Sequence, residues 1–521
     1  MKKSIEKLLK DALNGTEIEI VVPKEDSHGD YSTSIALAMA KKEGRNPREI
    51  AKDILEKVEN LDKGKLFKKV EIAGPGHINF FIKDDVLVNS LKEILKKKEK
   101  YGQTEEGKGK KVLIEFVSAN PTGPLHIGHG RWAAIGDSIA KILKSAGYRV
   151  QTEFYVNNVG RQVNLLIESV LAHINGTPVP QDGYAGAYVK EIADACKDVK
   201  PDKLKDHVLT KIMDEQKQTL SSINVNFDNW FNEESLHKSG RIKGTIEILK
   251  KNNFAYEKDG ALWFRSTDFG DDKDRVLVRE NGEPTYFAAD LAYHEDKFKR
   301  GFSLLVNVWG TDHHGYVKRL ESSLVALGHP AQSLKIIIGQ LVSLYRGDEP
   351  VRMSKRTGDM ITLKEVIEET GSDATRFFLL LTGADSHMDF DIELAKKKSM
   401  DNPVYYVQYA HARICSVFEE AKVDPSKADL NLLVHESERA LIKKLIDFSD
   451  SIIRSAVSME PHHMVRYARE LAALFHSYYH KCRVITDDKE LTNARLLLLK
   501  STRIVLANVL KLLGTSAPER M

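Results

Sequence analysis

The 521-residue sequence has few cysteines and no long hydrophobic run. Cys196, Cys415 and Cys482 stand far apart, without the paired spacing of a zinc knuckle, so we expect neither a disulfide framework nor zinc. No apolar stretch approaches the roughly 18 residues of a membrane-spanning helix, and the N-terminus lacks the apolar core of a signal peptide. These absences predict a cytoplasmic protein that is not bound to a membrane, and no metal site is expected.

The chain also has little excess of positive over negative charge. There are 78 Lys and Arg residues against 75 Asp and Glu residues, which leaves a net charge of +3. Any polyanionic partner must therefore be met by local basic patches. The chain is too long for one core, and we expect two to four domains.

The sequence pattern divides the chain into three parts. Residues 1–100 read as an α+β N-terminal domain that precedes a charged, glycine-containing stretch. In residues 108–385, buried strands at 112–117, 303–310 and 336–344 alternate with amphipathic helices, which predicts a Rossmann-type parallel sheet with a helical insertion at about 155–285. Residues 386–521 read as an all-α bundle. The predicted fold class is thus α/β with a flanking domain at each end.

The peptide SANPTGPLHIGHGR (118–131) lies between a predicted strand and a predicted helix. Ligands of parallel sheets bind at the carboxyl ends of the strands. A helix beginning near His126 offers unpaired N–H groups, and Gly128 allows a phosphate chain to approach them. His126 and His129 can donate to phosphate oxygens whose charge grows during displacement. Helix capping or metal binding is the alternative for both histidines.

Two further peptides carry candidate chemistry. VRMSKRTGDMITL (351–363) follows the strand at 336–344 and offers Lys355, which suits neutralisation of a leaving pyrophosphate. A solvated surface turn is the alternative for this loop. GTDHHGY (310–316) follows the strand at 303–310, where Gly310 permits close approach and Asp312 can accept from a ribose hydroxyl. The two histidines of this peptide can equally be structural or exposed.

HIGH followed by MSK, in this order and topology, resembles the class I aminoacyl-tRNA synthetases. The flanking residues narrow the resemblance to arginyl-tRNA synthetases of bacterial type, and the resemblance covers nearly the whole chain. The stretches that carry it are HGDYSTSIALAMAK (28–41), GPGHINFFI (74–82), GSDATRFFLL (371–380), DFDIELAKKKS (389–399) and NPVYYVQYAHARI (402–414). It implies an arginine–tRNA ligase that forms arginyl-adenylate from arginine and ATP with Mg²⁺, releases pyrophosphate, and transfers arginine to the 3′ end of tRNA(Arg), giving AMP.

The resemblance also implies site residues. The catalytic residues would be His126, His129 and Lys355. The ATP-binding residues would be His126, Gly128, His129, Gly310, Asp312, His314, Met353, Ser354 and Lys355. The arginine-binding residues would be Glu115, Ser118, Asn120, Tyr286, Asp290 and Tyr316.

The chemistry of arginine fits this last set. A guanidinium is planar and always charged, so its pocket needs carboxylates that accept paired hydrogen bonds. Tyr286 and Asp290 are four residues apart and share one face if their segment is helical. Their alternatives are a half-buried core ring and an exposed helix carboxylate.

Binding of tRNA calls for basic groups and for rings that stack on unstacked bases. Tyr405, Gln408, Tyr409 and Arg413 follow one another at helical spacing, and the resemblance places them in an anticodon-binding domain. A tyrosine stripe at this spacing is otherwise often core. The N-terminal domain would also contact the tRNA, and we expect a monomer.

Three other functions are compatible with parts of the sequence. A class I synthetase for another amino acid would differ only in the pocket around Asp290. A nucleotidyltransferase that adenylates small carboxylic acids would have no evident use for the N-terminal and C-terminal domains. A catalytically idle tRNA-binding protein would be expected to have lost His126, His129 or Lys355, and all three are present.

Overall fold

The computed structural model describes residues 1–16, 18–23, 25–351 and 361–521. This part of the chain forms an α+β N-terminal domain, a central domain around a five-stranded sheet, and a helical C-terminal domain. None of its helices combines the length and the apolar character that crossing a membrane would require. The 3₁₀ turns are Asp26–His28, Lys98–Lys100, Ser266–Phe269, Thr311–Tyr316, Ala331–Ser333 and Leu430–Leu432.

The N-terminal domain packs helices against a three-stranded antiparallel sheet of order β1-β3-β2. Its elements are α1 (Lys2–Ala12), β1 (Tyr31–Thr33), α2 (Ile35–Glu43), α3 (Pro47–Asp62), β2 (Phe67–Ala73), β3 (His77–Ile82) and α4 (Asp84–Lys97). The first helix buries Ile5, Leu9 and Ala12, the three-to-four spacing of an amphipathic helix. The third helix begins at Asn46, whose side chain accepts from the Arg48 N–H.

The central domain opens with the strand and helix that flank the HIGH peptide. The first three elements are β4 (Lys111–Glu115), α5 (Ile127–Ser145) and β5 (Arg149–Val156). Next come α6 (Arg161–Asn175), α7 (Ala187–Ala195), α8 (Pro201–Ser222), β6 (Asn229–Asn232), α9 (Glu234–Lys238), α10 (Arg241–Lys251), β7 (Ala255–Lys258), β8 (Ala261–Phe264) and β9 (Arg275–Val278). The rest are α11 (Tyr286–Lys299), β10 (Leu304–Gly310), α12 (Val317–Ala326), β11 (Leu334–Gly339), β12 (Val342–Arg346), β13 (Glu349–Pro350), α13 (Leu363–Thr370), α14 (Ser372–Phe378), β14 (Met388–Asp391) and α15 (Ile392–Lys396).

The main sheet has the order β11-β10-β4-β5-β6, and all its strand pairs are parallel. This agrees with the predicted Rossmann-type domain. The stretch at about 155–285, predicted as a helical insertion apart from the sheet, also supplies β6 to that sheet. It further holds the antiparallel sheet β7-β8-β9. These strands have four residues each, too few to show an alternating pattern.

The segment 336–344, predicted as one strand, forms two, so that prediction is wrong. The break falls at Gln340 and Leu341, whose carbonyl oxygens accept from Arg131 Nη1 at 3.1 and 3.5 Å. The Gln340 carbonyl thus bonds a buried guanidinium, and Leu341 O also accepts from the Met388 N–H of β14 at 3.3 Å, so the ladder with β10 stops here. The second strand, β12, then pairs with β14, which lies beyond the boundary predicted at 386. The domain boundaries themselves stay predictions.

The C-terminal domain is helical, as predicted. It consists of α16 (Pro403–Ala421), α17 (Glu436–Ile446), α18 (Phe448–Ser458), α19 (His462–Lys481) and α20 (Lys489–Leu513). The segment after α4 is anchored in this bundle, because the Tyr101 hydroxyl donates to Leu445 O at 3.2 Å and the Asn508 amide donates to Tyr101 O at the same distance. The N-terminal and C-terminal domains are therefore in direct contact.

A buried arginine joins the central domain to the last helix. Arg376 is fully buried and forms an ion pair with Asp137 on α5. Its guanidinium also donates to Ile223 O at 2.7 Å and to Leu513 O. Gly514 caps α20 at φ +72°, and a Cβ there would overlap the guanidinium. One side chain thus satisfies groups from three separate segments.

We expect Arg376→Met to lower the free energy of unfolding by about 3–5 kcal/mol, because it leaves two buried carbonyls without their donor and leaves Asp137 paired with Lys141 but not with Arg376. Thermal and urea unfolding followed by circular dichroism measure the loss. The matched control is Arg520→Met, since the Arg520–Glu419 pair is exposed at 2.9 Å and should contribute less than about 1 kcal/mol. Equal small effects of both substitutions would contradict the assigned role of Arg376.

Candidate active site

The cleft of the central domain lies where the strand order of the main sheet reverses. From β4 the chain proceeds to β5 on one side, and from β10 it proceeds to β11 on the other. At the carboxyl ends of β4 and β10 the structure has a cleft of about 660 Å³. Nine of the predicted site residues line it: Glu115, Ser118, Asn120, His126, His129, Asp290, Gly310, Asp312 and Tyr316. Residues far apart in the chain are thus brought to the edge expected for a parallel sheet.

The chain leaves β4 through two residues in the left-handed region of φ. Val117 has φ +69° and Ser118 has φ +41°. Such backbone strain costs about 1–3 kcal/mol per residue and persists where the surroundings enforce it, often at ligand sites. Here Ser118 Oγ donates to Glu115 Oε1 at 3.0 Å and accepts from the Tyr155 N–H at 3.1 Å. The strained turn therefore fixes Ser118 between two neighbouring strands.

The two HIGH histidines cap helix α5 reciprocally. His126 Nδ1 accepts from the N–H groups of Gly128 and His129 at 3.1 and 3.4 Å, and His129 Nδ1 accepts from the His126 N–H at 3.3 Å. The rings stack with their centroids 3.7 Å apart. The capping alternative therefore describes part of their role. Because Nδ1 is the acceptor in each ring, Nε2 carries the proton of the neutral imidazole, beside the positive end of a helix dipole.

Trp132 forms part of the wall beside these histidines. Its indole meets the His129 ring edge-on, with centroids 5.4 Å apart. It also covers the ends of β10 and β11: a Cβ at Gly310 would lie 2.9 Å from the indole, and a Cβ at Gly339 would overlap it. Glycine is therefore required at both strand ends by the indole itself, in addition to any approach of a ligand at Gly310.

Asp290 belongs to helix α11 and lines one corner of the cleft. The Tyr316 hydroxyl donates to Asp290 Oδ2 at 2.6 Å. Burial raises the pKa of Asp290 to about 7, and the nearby carboxylates of Glu115 and Glu233 raise it too, while the Tyr316 hydrogen bond acts in the opposite direction. Asp290 and Tyr316, both predicted, thus form one unit.

A second buried carboxylate, Glu233, lies near Asp290. It is 3% exposed, and burial raises its pKa although the Tyr155 phenol and His237 beside it act in the opposite direction. The Asn157 amide, oriented to satisfy its neighbours, donates to Glu233 Oε2 at 3.0 Å. Among the residues that the structure describes, neither Glu233 nor Asp290 forms an ion pair with lysine or arginine. This corner therefore carries negative charge that a cationic ligand would neutralise.

Glu115, predicted to bind arginine, already has a cationic partner. Lys297 Nζ donates to Glu115 Oε2 at 2.5 Å, and both side chains are buried. The other carboxylate oxygen accepts from Ser118. Glu115 lines the cleft, but its charge is neutralised from within the fold.

The structure places Tyr286, Gly128 and His314 outside the residues that line the cleft. Tyr286 is the first residue of α11 and is 63% exposed. It borders a neighbouring hollow of about 260 Å³ that shares Asn120 and Asn157 with the cleft. The segment is helical, which is the condition under which Tyr286 and Asp290 were expected to share a face, yet the helix terminus leaves the tyrosine at the rim.

Two described segments flank the MSK loop. The Val351 N–H donates to Leu344 O at 2.8 Å on one side. On the other side, Thr362 forms a β-bridge with His126, and the Leu363 N–H donates to Leu125 O at 2.7 Å. The chain is therefore next to the HIGH peptide directly after the loop. Met353, Ser354 and Lys355 lie outside the described residues, and their roles stay predictions.

Helix α16 carries the residues predicted to bind tRNA. The rings of Tyr405 and Tyr409 stack at 6.0 Å, and the exposed Arg413 guanidinium lies over the Tyr409 ring at 5.5 Å. The ring of His476 joins them from α19. Gln408 points elsewhere: it is buried and donates to Asp373 Oδ2 at 2.7 Å and to Ser516 O at 3.0 Å. The surface is thus aromatic and basic without the glutamine.

Several residues of the cleft were not found by sequence reasoning. The main ones that line the cleft are Trp132, Tyr155, Asn157, Trp309 and Leu341. Glu233, which acts on Asp290 without lining the cleft, was missed as well. Trp132 directly follows the HIGH peptide, and its position there was the available signal. Glu233 carried none, because it follows a four-residue strand within a helical stretch.

Comparisons with known proteins agree with this geometry. Three family models match: "Arginyl tRNA synthetase N terminal domain" at residues 1–82, "tRNA synthetases class I (R), catalytic domain" at 90–179 and 182–380, and "DALR anticodon binding domain" at 407–521. An arginine–tRNA ligase of Heliobacterium modesticaldum is 47% identical, covering 96% of this chain and 93% of the relative. One of Citrifermentans bemidjiense is 48% identical, covering 97% and 95%.

Solved structures support the fold. Arginyl-tRNA synthetase of Thermus thermophilus matches with a TM-score of 0.82 at 22% identity, covering all of both chains. The Plasmodium falciparum enzyme matches with a TM-score of 0.76 at 16% identity, covering 100% of this chain and 99% of the other. At these identities the structures show the fold alone.

These findings confirm the predicted fold class, with its N-terminal and helical C-terminal domains. They also confirm the predicted enzyme, an arginine–tRNA ligase of class I that uses ATP. Since relatives far above 30% identity match nearly its full length, the chain belongs to the arginyl-tRNA synthetase family of class I aminoacyl-tRNA synthetases.

Proposed function

We propose that this chain joins L-arginine to tRNA(Arg) within the described cleft, with the arginine side chain bound at Asp290. The observation that carries the proposal is the pair of carboxylates, Asp290 and Glu233, that lack a lysine or arginine partner among the described residues. A guanidinium presents donors in a plane and bonds carboxylates in pairs, so it suits this corner better than a neutral side chain. Burial is the main cause of the raised pKa of both carboxyls, and a guanidinium bound beside them would lower both pKa values.

The rest of the substrate then extends towards β4. Tyr316 holds the Asp290 carboxylate, and Tyr155 with Asn157 holds that of Glu233. Ser118 and Asn120 also line the cleft, where they would meet the amino and carboxyl groups of arginine. Glu115 would act there through its neutralised carboxylate, and Tyr286 would act from the rim.

ATP would lie across the start of α5. Protons on Nε2 of His126 and His129 can be donated to α-phosphate oxygens. The Gly128 N–H already donates to His126 Nδ1, so Gly128 would contribute by having no side chain beside these rings. Gly310, Asp312 and His314 would serve the adenosine side. Met353, Ser354 and Lys355 are proposed for the phosphates from the sequence alone. Magnesium enters with the nucleotide as MgATP, because this hard cation prefers phosphate oxygens; the proposed reaction needs no zinc.

The reaction has two steps. An oxygen of the arginine carboxylate attacks the α-phosphorus, and the bond from that phosphorus to the pyrophosphate oxygen breaks. Donors placed at the growing charge, His126 and His129, stabilise this transition state. A hydroxyl of the 3′-terminal ribose of tRNA then attacks the arginyl carbonyl carbon. AMP leaves with the bonding electron pair, and the hydroxyl proton is released.

The helical domain would bind the anticodon end of tRNA through Tyr405, Tyr409 and Arg413. Rings and a guanidinium on one surface can stack on unstacked bases. The N-terminal domain would contact the same RNA elsewhere. We further propose that the enzyme is a monomer and that it works in the cytoplasm, where tRNA is charged.

Pyrophosphate exchange with MgATP tests the function directly. With each of the twenty amino acids, in the presence of bulk tRNA, we expect exchange with arginine alone. Exchange with another amino acid would instead indicate a different class I synthetase. Absence of exchange with all twenty would indicate an idle RNA-binding protein.

His126→Asn and His129→Asn test the two histidines in the same assay. Asparagine is a good helix cap, so the fold should be kept while the donor to phosphate is lost. We expect each substitution to reduce exchange by about 10²–10³-fold, as for other donors to a developing charge. Unchanged exchange would place the nucleotide elsewhere.

The pKa of Asp290 predicts how arginine binding depends on pH. The carboxyl is ionised above about pH 7 and protonated below it, and only the ionised form attracts the guanidinium. The arginine KM should therefore be constant above pH 7 and rise about tenfold for each pH unit below it. Asp290→Asn should raise the KM about 100-fold or more and abolish this pH dependence.

Tyr316→Phe is the matched variant. It removes the 2.6 Å hydrogen bond that lowers the pKa of Asp290, so that pKa should rise above about 7. The midpoint of the KM profile should consequently move to higher pH. A profile that keeps its midpoint would show that another group titrates.

Substitutions of Tyr409 test the proposed RNA-binding surface on α16. Tyr409→Leu should raise the KM for tRNA about 5–150-fold, the range expected when a stacked ring is lost. Tyr409→Phe keeps the ring and should behave like the original chain. Both are measured by aminoacylation, and exchange with arginine at saturating tRNA should be unchanged. Equal effects of the two substitutions would argue against stacking.

A further inference from the structure

The turn between helices α18 and α19 brings together three metal-ligating side chains away from the cleft. It contains the sequence Glu-Pro-His-His at positions 460–463. One ligand atom each from Glu460, His462 and His463 lies within 4.8 Å of the others. Glu460 Oε2 and His463 Nε2 are 2.8 Å apart, and the two imidazole centroids are 4.2 Å apart.

The backbone holds this turn in place. Helix α18 is capped by Met459 in the left-handed conformation at φ +58°. The Glu460 N–H donates to Ser455 O at 3.2 Å, and the His463 N–H donates to Glu460 O at 3.3 Å. Pro461 stands at the N-cap of α19 with its φ fixed. A ligand binding here would therefore need to order side chains only.

His462 supplies a second observation that points to a ligand. Its Nδ1 is buried and has no hydrogen-bond partner among the residues that the structure describes. A buried polar atom without a partner is costly and calls for an explanation. The Nδ1–Cε1 edge of this ring faces Gly383 of the central domain. If Gly383 carried a Cβ, that atom would lie 3.8 Å from His462 Nδ1 and 2.8 Å from Asp385 Oδ1.

We propose that Glu460, His462 and His463 bind a divalent transition-metal ion of the zinc type, with Asp385 of the central domain completing the site. Two imidazoles with carboxylates suit Zn²⁺ and its neighbours, whereas Mg²⁺ and Ca²⁺ prefer oxygen ligands throughout. Bonds of about 2.0–2.2 Å require the ligand atoms to approach to about 3.3 Å in a tetrahedron. Glu460 and His463 are about half exposed and can make this adjustment.

The charges around the turn permit a cation. The start of α19 presents a helix dipole that opposes positive charge, and Arg466 lies one turn further. The Arg466 guanidinium, however, pairs with Glu470 at 2.7 Å. Glu460 and Asp385 supply two negative charges against the dipole.

Such an ion would tie the RNA-binding domain to the catalytic one. Gly383 O accepts from Arg131 Nη2 at 2.7 Å, and Arg131 lies on the helix that His126 caps. The ion would therefore fix the loop that supports α5. The expectation of no metal rested on the cysteine spacing and did not weigh this histidine pair.

Metal binding is tested on the full chain after chelation and removal of the chelator. Equilibrium dialysis against Zn²⁺, with metal measured by atomic emission, should give one tightly bound ion per chain. His462→Gln and His463→Gln should each weaken this binding about 10–100-fold or more. The matched control is His387→Gln, because exposed His387 faces Asp389 at 3.2 Å without a second histidine. It should bind zinc as the original chain does.

Cobalt provides the second readout. Co²⁺ bound at the site should give the intense visible absorption bands of a tetrahedral complex. Asp385→Asn should alter that spectrum or weaken binding about tenfold. The proposal is overturned if the original chain binds no zinc after chelation, or if His462→Gln and His463→Gln bind as much as the control. Circular dichroism confirms that each variant is folded. These measurements do not involve aminoacylation, so they stand independently of the proposed function.

Discussion

The parallel pairing of β4 with β10 is the contact on which the cleft depends. Glu115 and Asn307 are partners in its register, and the next strands lie on opposite sides. The loops that follow the two strands therefore diverge and leave a space at their carboxyl ends. Lys297 reinforces the pair from α11, because it donates to both Glu115 at 2.5 Å and Asn307 at 3.4 Å. Neutralising Glu115 in this way leaves the ligand charge to be met by carboxylates farther along the cleft.

Helix α5 connects this sheet to the rest of the molecule through two buried arginines. Arg131, on the helix, bonds the carbonyls where β11 ends and the loop at Gly383. Asp137, also on the helix, pairs with Arg376, which in turn bonds the end of α20. Burial lowers the pKa of Arg131 to about 10, so its charge is kept at neutral pH. The histidines at the start of α5 thus stand on a helix fixed at several points along its length.

The sequence allowed the site to be predicted where chemistry and position coincide in a short peptide. His126 and His129 cap a helix after a strand, and Asp290 lies on a helix and lines the cleft. Glu233 could not be found, because its importance arises only when a four-residue strand joins the main sheet beside β5. The break at Gln340 was equally hidden, since the group that causes it, Arg131, is more than 200 residues away. Short strands and long-range hydrogen bonds leave no periodic signal in the sequence.

If arginine binds at Asp290 as proposed, the charge of this corner would distinguish it from similar molecules. Two buried carboxylates with raised pKa values retain protons more readily than exposed ones, so binding a cation releases protons that binding a neutral molecule would not. A neutral isostere of the guanidinium therefore gains less from Asp290. Lysine carries the charge, but its ammonium is a compact group without the planar set of donors that two separated carboxylates require. In the proposed complex, selection would follow because some of the acceptor positions on these buried carboxylates would stay unpaired with either competitor.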